Sequence, residues 1–206
     1  MRYAGFALLA CALFLLLSLL LHRTLRGDWP PWRRSEILLH ASFVFALAVS
    51  CEVLVDSLYE GVFGHKLWEY RVLPAHEGRV SRLAPLVWPS YGVHLYWLRG
   101  SLAARFGSLG SRTLFQAAVV GLEAPLFFEV VGNLLFLGFL RTYYARYVPG
   151  DLWHLTSLQV VPVYGACALL GFLLLDRLRR HRLGRHPWLP LVFLALGLFV
   201  VAGPGA

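Results

Sequence analysis

Apolar residues in this chain come in long blocks, not in the stripes of a soluble domain. Six blocks stand out: Tyr3 to Leu21, Ile37 to Tyr59, Leu83 to Leu98, Leu114 to Leu140, Leu155 to Leu175 and Trp188 to Ala202. Several approach or exceed the ~18–20 apolar residues that cross a bilayer. The pattern predicts an all-α, polytopic integral membrane protein, with six transmembrane helices in a single domain over residues 1–206. The first block is too long for the apolar core of a signal peptide, and no small-residue cleavage site follows it, so it reads as a helix. The third block reaches only ~24 Å as a helix. It carries Pro85 and Pro89, which predicts a kinked or partly re-entrant segment. Gly100–Arg112 then reads as a loop.

Within the blocks the polar residues recur. Cys51-Glu52-Val53-Leu54-Val55-Asp56 in the second block is answered 77 residues later by Phe128-Glu129-Val130-Val131-Gly132-Asn133 in the fourth. Pro89-Ser90-Tyr91-Gly92 follows the first copy and Pro162-Val163-Tyr164-Gly165 follows the second. This predicts an internal repeat of two helix hairpins, about 37–98 and about 114–175, flanked by helices at about 3–21 and 188–202. A repeat of two spans preserves direction across the membrane, so its copies are related by an axis along the membrane normal.

Composition agrees with this reading. The chain is 58% hydrophobic with mean hydropathy +0.63. Its net charge of +8 would suggest nucleic acid in a soluble protein, but the arginines sit between apolar blocks and orient them, so no nucleic-acid partner is expected. Most of the 19 Lys and Arg lie in the linkers after blocks one, three and five. The positive-inside rule then places both termini outside the cytoplasm, in a multi-pass protein of the cell membrane. Cys11, Cys51 and Cys167 lie inside apolar blocks without CxxC spacing, so neither a disulfide framework nor a zinc site is expected. Phosphate-binding, serine-hydrolase and zincin motifs are absent from the sequence. No cofactor or metal is implied.

Glu52, Asp56 and Glu60 fall at i, i+4 and i+8, on one helix face. Ionised carboxylates are costly against lipid, so that face looks into the bundle or a wet cavity. Glu129 and Asn133 are the repeat counterparts of Glu52 and Asp56. Facing hairpins would bring Glu52 and Glu129 towards one central cavity, where paired acids split their affinities for protons and divide the roles of acid and base. Tyr91 and Tyr164 sit on the returning helices between Pro and Gly, able to bond the glutamates or line a pocket. His94 lies one turn after Tyr91, and Glu123 lies near Glu129 beside Pro125. The linkers His65–Tyr70 and Arg141–His154 are rich in aromatics, Trp68 and Tyr144 among them. They read as an interfacial belt or as the mouth of a site, within which Asp151 would pair with Arg141 or Arg146.

Glu52, Glu60, Trp68-Glu69-Tyr70, Gly78 and Trp88 together resemble the pattern of the ABC-transporter type IV membrane family over residues 52–88: a Glu, a second acid eight residues on, a Trp-acid-Tyr block, a Gly-containing linker and a Trp. That resemblance implies a permease. More distantly, acids on helices followed by an aromatic linker and a Pro- or Trp-bearing return helix resemble carotenoid hydratases and the sterol-isomerase-like EXPERA proteins. There a buried acid protonates a carbon–carbon double bond and aromatic faces stabilise the cation.

Three functions are therefore expected in order. The first is a membrane-embedded enzyme for isomerisation, hydration or cyclisation of an isoprenoid or other apolar lipid. In it Glu52 and Glu129 act as acid and base, Asp56 and Asn133 tune or orient them, and Tyr91, Tyr164, His94, Trp88, Trp68 and Tyr144 line the pocket. The second is a small-solute or proton-coupled permease with the same glutamates as coupling site, served by an ATPase partner or an ion gradient. The third is a scaffold without chemistry.

Overall fold

The chain was analysed as a computed structural model that describes residues 2–181 and 186–203. Six helices carry the architecture: α1 (Arg2–Arg26), α2 (Arg34–Phe63), α3 (Ala84–Gly110), α4 (Thr113–Leu140), α5 (Val160–Arg180) and α6 (Leu189–Ala202). Four of them, α1, α2, α4 and α5, are long and apolar enough to cross a membrane. α3 is 27 residues long but interrupted by charge, and α6 has 14 residues.

Two antiparallel hairpins, α2–α3 and α4–α5, stand side by side, with α1 packed on α3 and α6 packed on α2. Small residues set the closest approaches. A Cβ on Gly92 of α3 would lie 2.7 Å from the His40 carbonyl of α2, and one on Gly121 of α4 would lie 3.1 Å from the Gly165 Cα of α5. One on Gly197 of α6 would lie 2.4 Å from the Phe45 ring of α2.

At one end of the bundle the two aromatic linkers meet. β1 (Trp68–Tyr70) pairs antiparallel with β4 (Ala145–Tyr147), matching Trp68 with Tyr147, Glu69 with Arg146 and Tyr70 with Ala145. Side chains alternate across a strand, so Trp68, Tyr70, Ala145 and Tyr147 are buried while Glu69 and Arg146 are only partly so. A smaller hairpin, β2 (Pro74–Ala75) with β3 (Val80–Ser81), sits beside it. These strands are an addition to the all-helical expectation. At the opposite end, Arg99 of α3 makes a two-pronged pair with Asp176 of α5 at 3.0 and 2.9 Å and bonds Gln116 of α4 at 2.7 Å. Arg179 of α5 pairs there with Glu36 of α2. Forked Arg–carboxylate pairs are among the stronger polar contacts, and this one spans the two hairpins.

Three boundaries differ from the sequence pattern. The third block does not stop at Leu98, and Gly100–Arg112 is not a loop. Helix continues to Gly107, where φ 57° and ψ −127° break it. Pro85 occupies the first turn, where its missing N–H has no intrahelical partner to lose, and Pro89 follows within the next turn. Ser101 to Phe106 are then mostly good helix formers. The fifth helix begins at Val160, not Leu155, because Asp151 ties Ser157 and Leu158 into the preceding turn. Inside α4, Ala124–Glu129 is wound as π-helix, starting beside Pro125, whose ring clashes with the normal ladder. Of the basic linker expected over Arg177–Arg185, residues 182–185 lie outside the described residues.

Candidate acid–base site

Each of the two glutamates is held in a cradle of donors. Glu52 is 7% exposed. It accepts the Tyr70 hydroxyl from β1 and, at 3.3 Å, the Trp88 indole N–H from α3. Glu129 accepts the hydroxyls of Tyr147 from β4 and Tyr164 from α5, and that of Thr156 at 2.6 Å. The tyrosine from the following strand lies 18 residues after its glutamate in both cases. Burial pushes the Tyr70 and Tyr147 phenols well above the usual tyrosine range, and the neighbouring glutamates push the same way. Both are therefore O–H donors throughout the physiological range.

One turn further along, Asp56 and Asn133 do a different job. The Asp56 Oδ1 accepts the backbone N–H groups of Leu67 and Trp68, at 2.7 and 3.3 Å, 11 and 12 residues away. The Asn133 Oδ1 accepts those of Tyr144 and Ala145, at 2.9 and 3.1 Å, again 11 and 12 residues away. Each side chain fastens the start of a ladder strand to its own helix. That is what aims Tyr70 and Tyr147 back at the glutamates. Asp56 also faces the Arg79 guanidinium at 3.6 Å, and Asn133 gives its amide hydrogens to the Ala145 and Leu155 carbonyls. Asn133 also borders the larger of two cavities beside the glutamates, and Asp56 borders neither.

Two cavities flank the pair. The first, of about 90 Å³, lies between α2 and α5 and is lined by Glu52, Glu129, Trp68, Trp88, Tyr91 and apolar residues such as Leu47 and Phe172. The second, of about 310 Å³, lies between α1, α3 and α4 and is lined by Phe14, Leu17, Tyr70, Phe127, Phe136 and Tyr144 among others. Trp88, Glu129, Tyr147 and Tyr164 line both and form the partition. Leu13, Leu17 and Phe127 border the larger cavity and are also exposed on the outer surface of the bundle. Its mouth therefore opens sideways. Among the described residues, Glu52 and Glu129 are the only charged side chains lining either cavity.

No family profile, curated protein or solved structure matches the chain.

The remaining expected residues divide. Trp88, Trp68, Tyr144, Tyr91 and Tyr164 line the cavities. Tyr164 bonds Glu129, but Tyr91 turns its hydroxyl to Glu123 at 2.7 Å, not to Glu52. His94 stands behind the pocket. Its Nδ1 meets Ser18 and His22 of α1, and its Nε2 meets Glu123. Asp151 is taken up by Ser157 and Leu158, and Arg146 contacts His154, so the pairing expected in that linker does not form. Tyr70, Tyr147 and Thr156 escaped the sequence reading. Running the 77-residue offset past Asn133 would have found the first two, since Tyr70 and Tyr147 are the residues that Trp-Glu-Tyr and Ala-Arg-Tyr share. His22 lies just past the end of the first apolar block.

Proposed function

We propose that this chain is a membrane-embedded enzyme that performs acid–base chemistry on an apolar lipid, isoprenoid-like in its unsaturation, with Glu52 and Glu129 as the acid and base. The observation that carries the reading is that these two carboxyl groups are the sole charges, among the described residues, in cavities walled, apart from Asn133 and the three cysteines, by aliphatic and aromatic side chains. We further propose six spans with both termini outside the cytoplasm, and descent of the two hairpins from one repeat. The matched bonds of Glu52 with Glu129 and of Asp56 with Asn133, at identical spacings, support the repeat.

The chemistry follows from the surroundings. A carboxylic acid on one side gives its proton to one carbon of a double bond, and the other carbon becomes cationic. The opposite carboxylate then removes a proton from a neighbouring carbon, which moves the double bond and leaves the two acids with their roles exchanged. Rings of Trp88, Phe128, Tyr91 and Tyr164 cluster beside the glutamates, with Tyr91 and Phe128 centroids 4.5 Å apart and Trp88 and Phe128 5.9 Å apart. Such faces attract a cation, by ~2 kcal/mol or more when desolvated. The two carboxyl groups meet in the cavity of about 90 Å³, while the one near 310 Å³ is lined by Glu129 and not by Glu52. The larger is at the lower end of the range for small-molecule pockets. It suits a stretch of lipid chain that reaches the pair across the Trp88–Tyr164 partition.

The test is a comparison of lipid extracts by mass spectrometry from cells expressing the wild type and the Glu52→Gln/Glu129→Gln double variant. A lipid altered by one water, or only in retention time, and present only with the wild type, supports the reading. Identical profiles from two folded proteins, with candidate lipids present, would favour a permease that uses the same glutamates.

A further inference from the structure

A second polar cluster lies inside the bundle, on the side of the glutamate pair away from the strand ladder. It is drawn from three helices. Ser18 and His22 come from α1, Tyr91 and His94 from α3, and Glu123 from α4. Ser18, His22, Tyr91 and His94 are each at most 4% exposed. Of these five side chains, the acid–base chemistry above uses only the ring of Tyr91.

The contacts form a line that is hydrogen-bonded except at its His94–Glu123 step. His94 Nδ1 is 2.8 Å from Ser18 Oγ and 3.3 Å from His22 Nε2. In the tautomer whose Nδ1 accepts from the Ser18 hydroxyl and the His22 Nε2–H, the proton of a neutral His94 sits on Nε2. That nitrogen is 3.2 Å from Glu123 Oε1, within ion-pair distance but not aligned as a hydrogen bond, and neither atom has a hydrogen-bond partner in the protein. Tyr91 then donates to the other carboxyl oxygen, Oε2, at 2.7 Å. Tyr91 is also part of the wall of the cavity that holds Glu52 and Glu129. At the other end, His22 Nδ1, Trp97 Nε1 and Ser101 Oγ are buried without a protein partner. Buried polar atoms of this kind are normally satisfied by water. They lead along α1 and α3 towards the bundle end where Arg23 and Arg26 close α1.

We propose that His22, His94 and Glu123 form a proton relay from that end of the bundle to the cavity, with Tyr91 as its terminal group. It rests on the reading above only for what consumes the proton. One proton enters at His22 Nδ1 as the His22 Nε2 proton passes to His94 Nδ1. The His94 Nε2 proton then passes to Glu123 Oε1. The net result is one proton taken up and one carboxylate converted to the acid. Discharge requires the Glu123 carboxyl to turn its proton to the Tyr91 oxygen, and the Tyr91 hydroxyl, which at rest donates to Oε2, to turn its own proton to an acceptor in the cavity. Arg26, Trp97 and Phe14 are the remaining neighbours of the two rings. Of these only Arg26 is charged, and it lies at the entry end.

The experiment is time-resolved infrared spectroscopy of the full chain in phosphatidylcholine vesicles mixed rapidly with D2O across a pH series. The carboxylic acid band of Glu123 is identified by its loss in Glu123→Gln. Deuteration of that band is expected to slow at least ten-fold in His94→Gln and in His22→Gln, and less in Ser18→Ala, with helix content unchanged by circular dichroism. Wild-type exchange rates in a folded His22→Gln or His94→Gln variant would overturn the relay. So would the absence, at every pH, of an acid band that Glu123→Gln removes. No substrate is needed, so loss of the lipid chemistry and loss of the relay are read separately.

Discussion

Glu69 and Arg146 face each other at the centre of the β1–β4 ladder. An antiparallel ladder is symmetric about its central pair, so what flanks Glu69 on one side flanks Arg146 on the other. Tyr70 and Tyr147 accordingly stand on opposite sides of that centre, each giving its hydroxyl to the glutamate of the preceding helix. One three-residue ladder thus supplies a donor to each of the two carboxyl groups.

The two glutamates are unequally supported. Glu129 keeps Tyr164 and Thr156 if Tyr147 is lost, while Glu52 keeps only the longer Trp88 contact if Tyr70 is lost. Tyr70→Phe is expected to be the more damaging of the two Tyr→Phe changes. A hydrogen bond to a charged group contributes ~1.5–3 kcal/mol, which corresponds to about a ten- to hundred-fold loss of lipid conversion where that geometry serves the transition state. Turnover of the two single variants in the lipid assay checks the order.

Asp56→Asn should be mild and Asp56→Ala severe. Asn133 already anchors two backbone N–H groups with an amide oxygen, so Asn at 56 can do the same. Alanine strands the Leu67 and Trp68 N–H groups in a buried site, at ~1–3 kcal/mol each. Thermal unfolding in detergent should separate the variants, and an Asn variant as damaged as the Ala variant would show that the charge beside Arg79, not the anchoring, is what matters.

The two Tyr-Gly pairs are expected to respond differently to a single methyl. Gly92→Ala places a Cβ 2.7–2.8 Å from the α2 backbone, whereas Gly165→Ala finds its nearest neighbour at 3.8 Å. Overpacking of this kind costs ~1–3 kcal/mol, so Gly92→Ala should lower the unfolding temperature by several degrees and Gly165→Ala should leave it nearly unchanged.

Alkaline titration gives a further check. Tyr70, Tyr147 and Tyr144 are all pushed up by burial first and by the nearby glutamates second. A group whose folded pKa is raised lends stability that is complete below its unfolded pKa, ~10 for tyrosine, and is lost as pH rises towards the folded value. These three phenols should remain un-ionised in ultraviolet difference spectra above pH ~10. They should then appear together with unfolding.

The hydrophobic blocks alone located the helices and Glu52, Asp56, Glu129 and Asn133, because exclusion of polar residues from long apolar runs makes the exceptions visible. The role of Asp56 and Asn133 was not legible. A side chain that holds a strand twelve residues on leaves no local trace, and spacing cannot distinguish it from a catalytic acid. Tyr70 and Tyr147 were hidden for a related reason: in short linkers, interfacial aromatics look like any other belt residue. The partner of His94 was equally invisible, since His22 lies 72 residues away on a helix outside both hairpins. Helix α3 was misjudged at its far end because its glycines suggested a loop. Its packing against α1 and α2 outweighs that local preference.

The two hairpins are fastened to each other at their ends, by the ladder on one side and by Arg99–Asp176 and Glu36–Arg179 on the other. Between these fastenings Tyr91 of α3 bonds Glu123 of α4, and the remaining contacts between the walls are mostly dispersion. Those are individually weak. The molecule is thus built like a buttoned seam, fastened by polar contacts at both hems and at one stitch between, with apolar walls elsewhere.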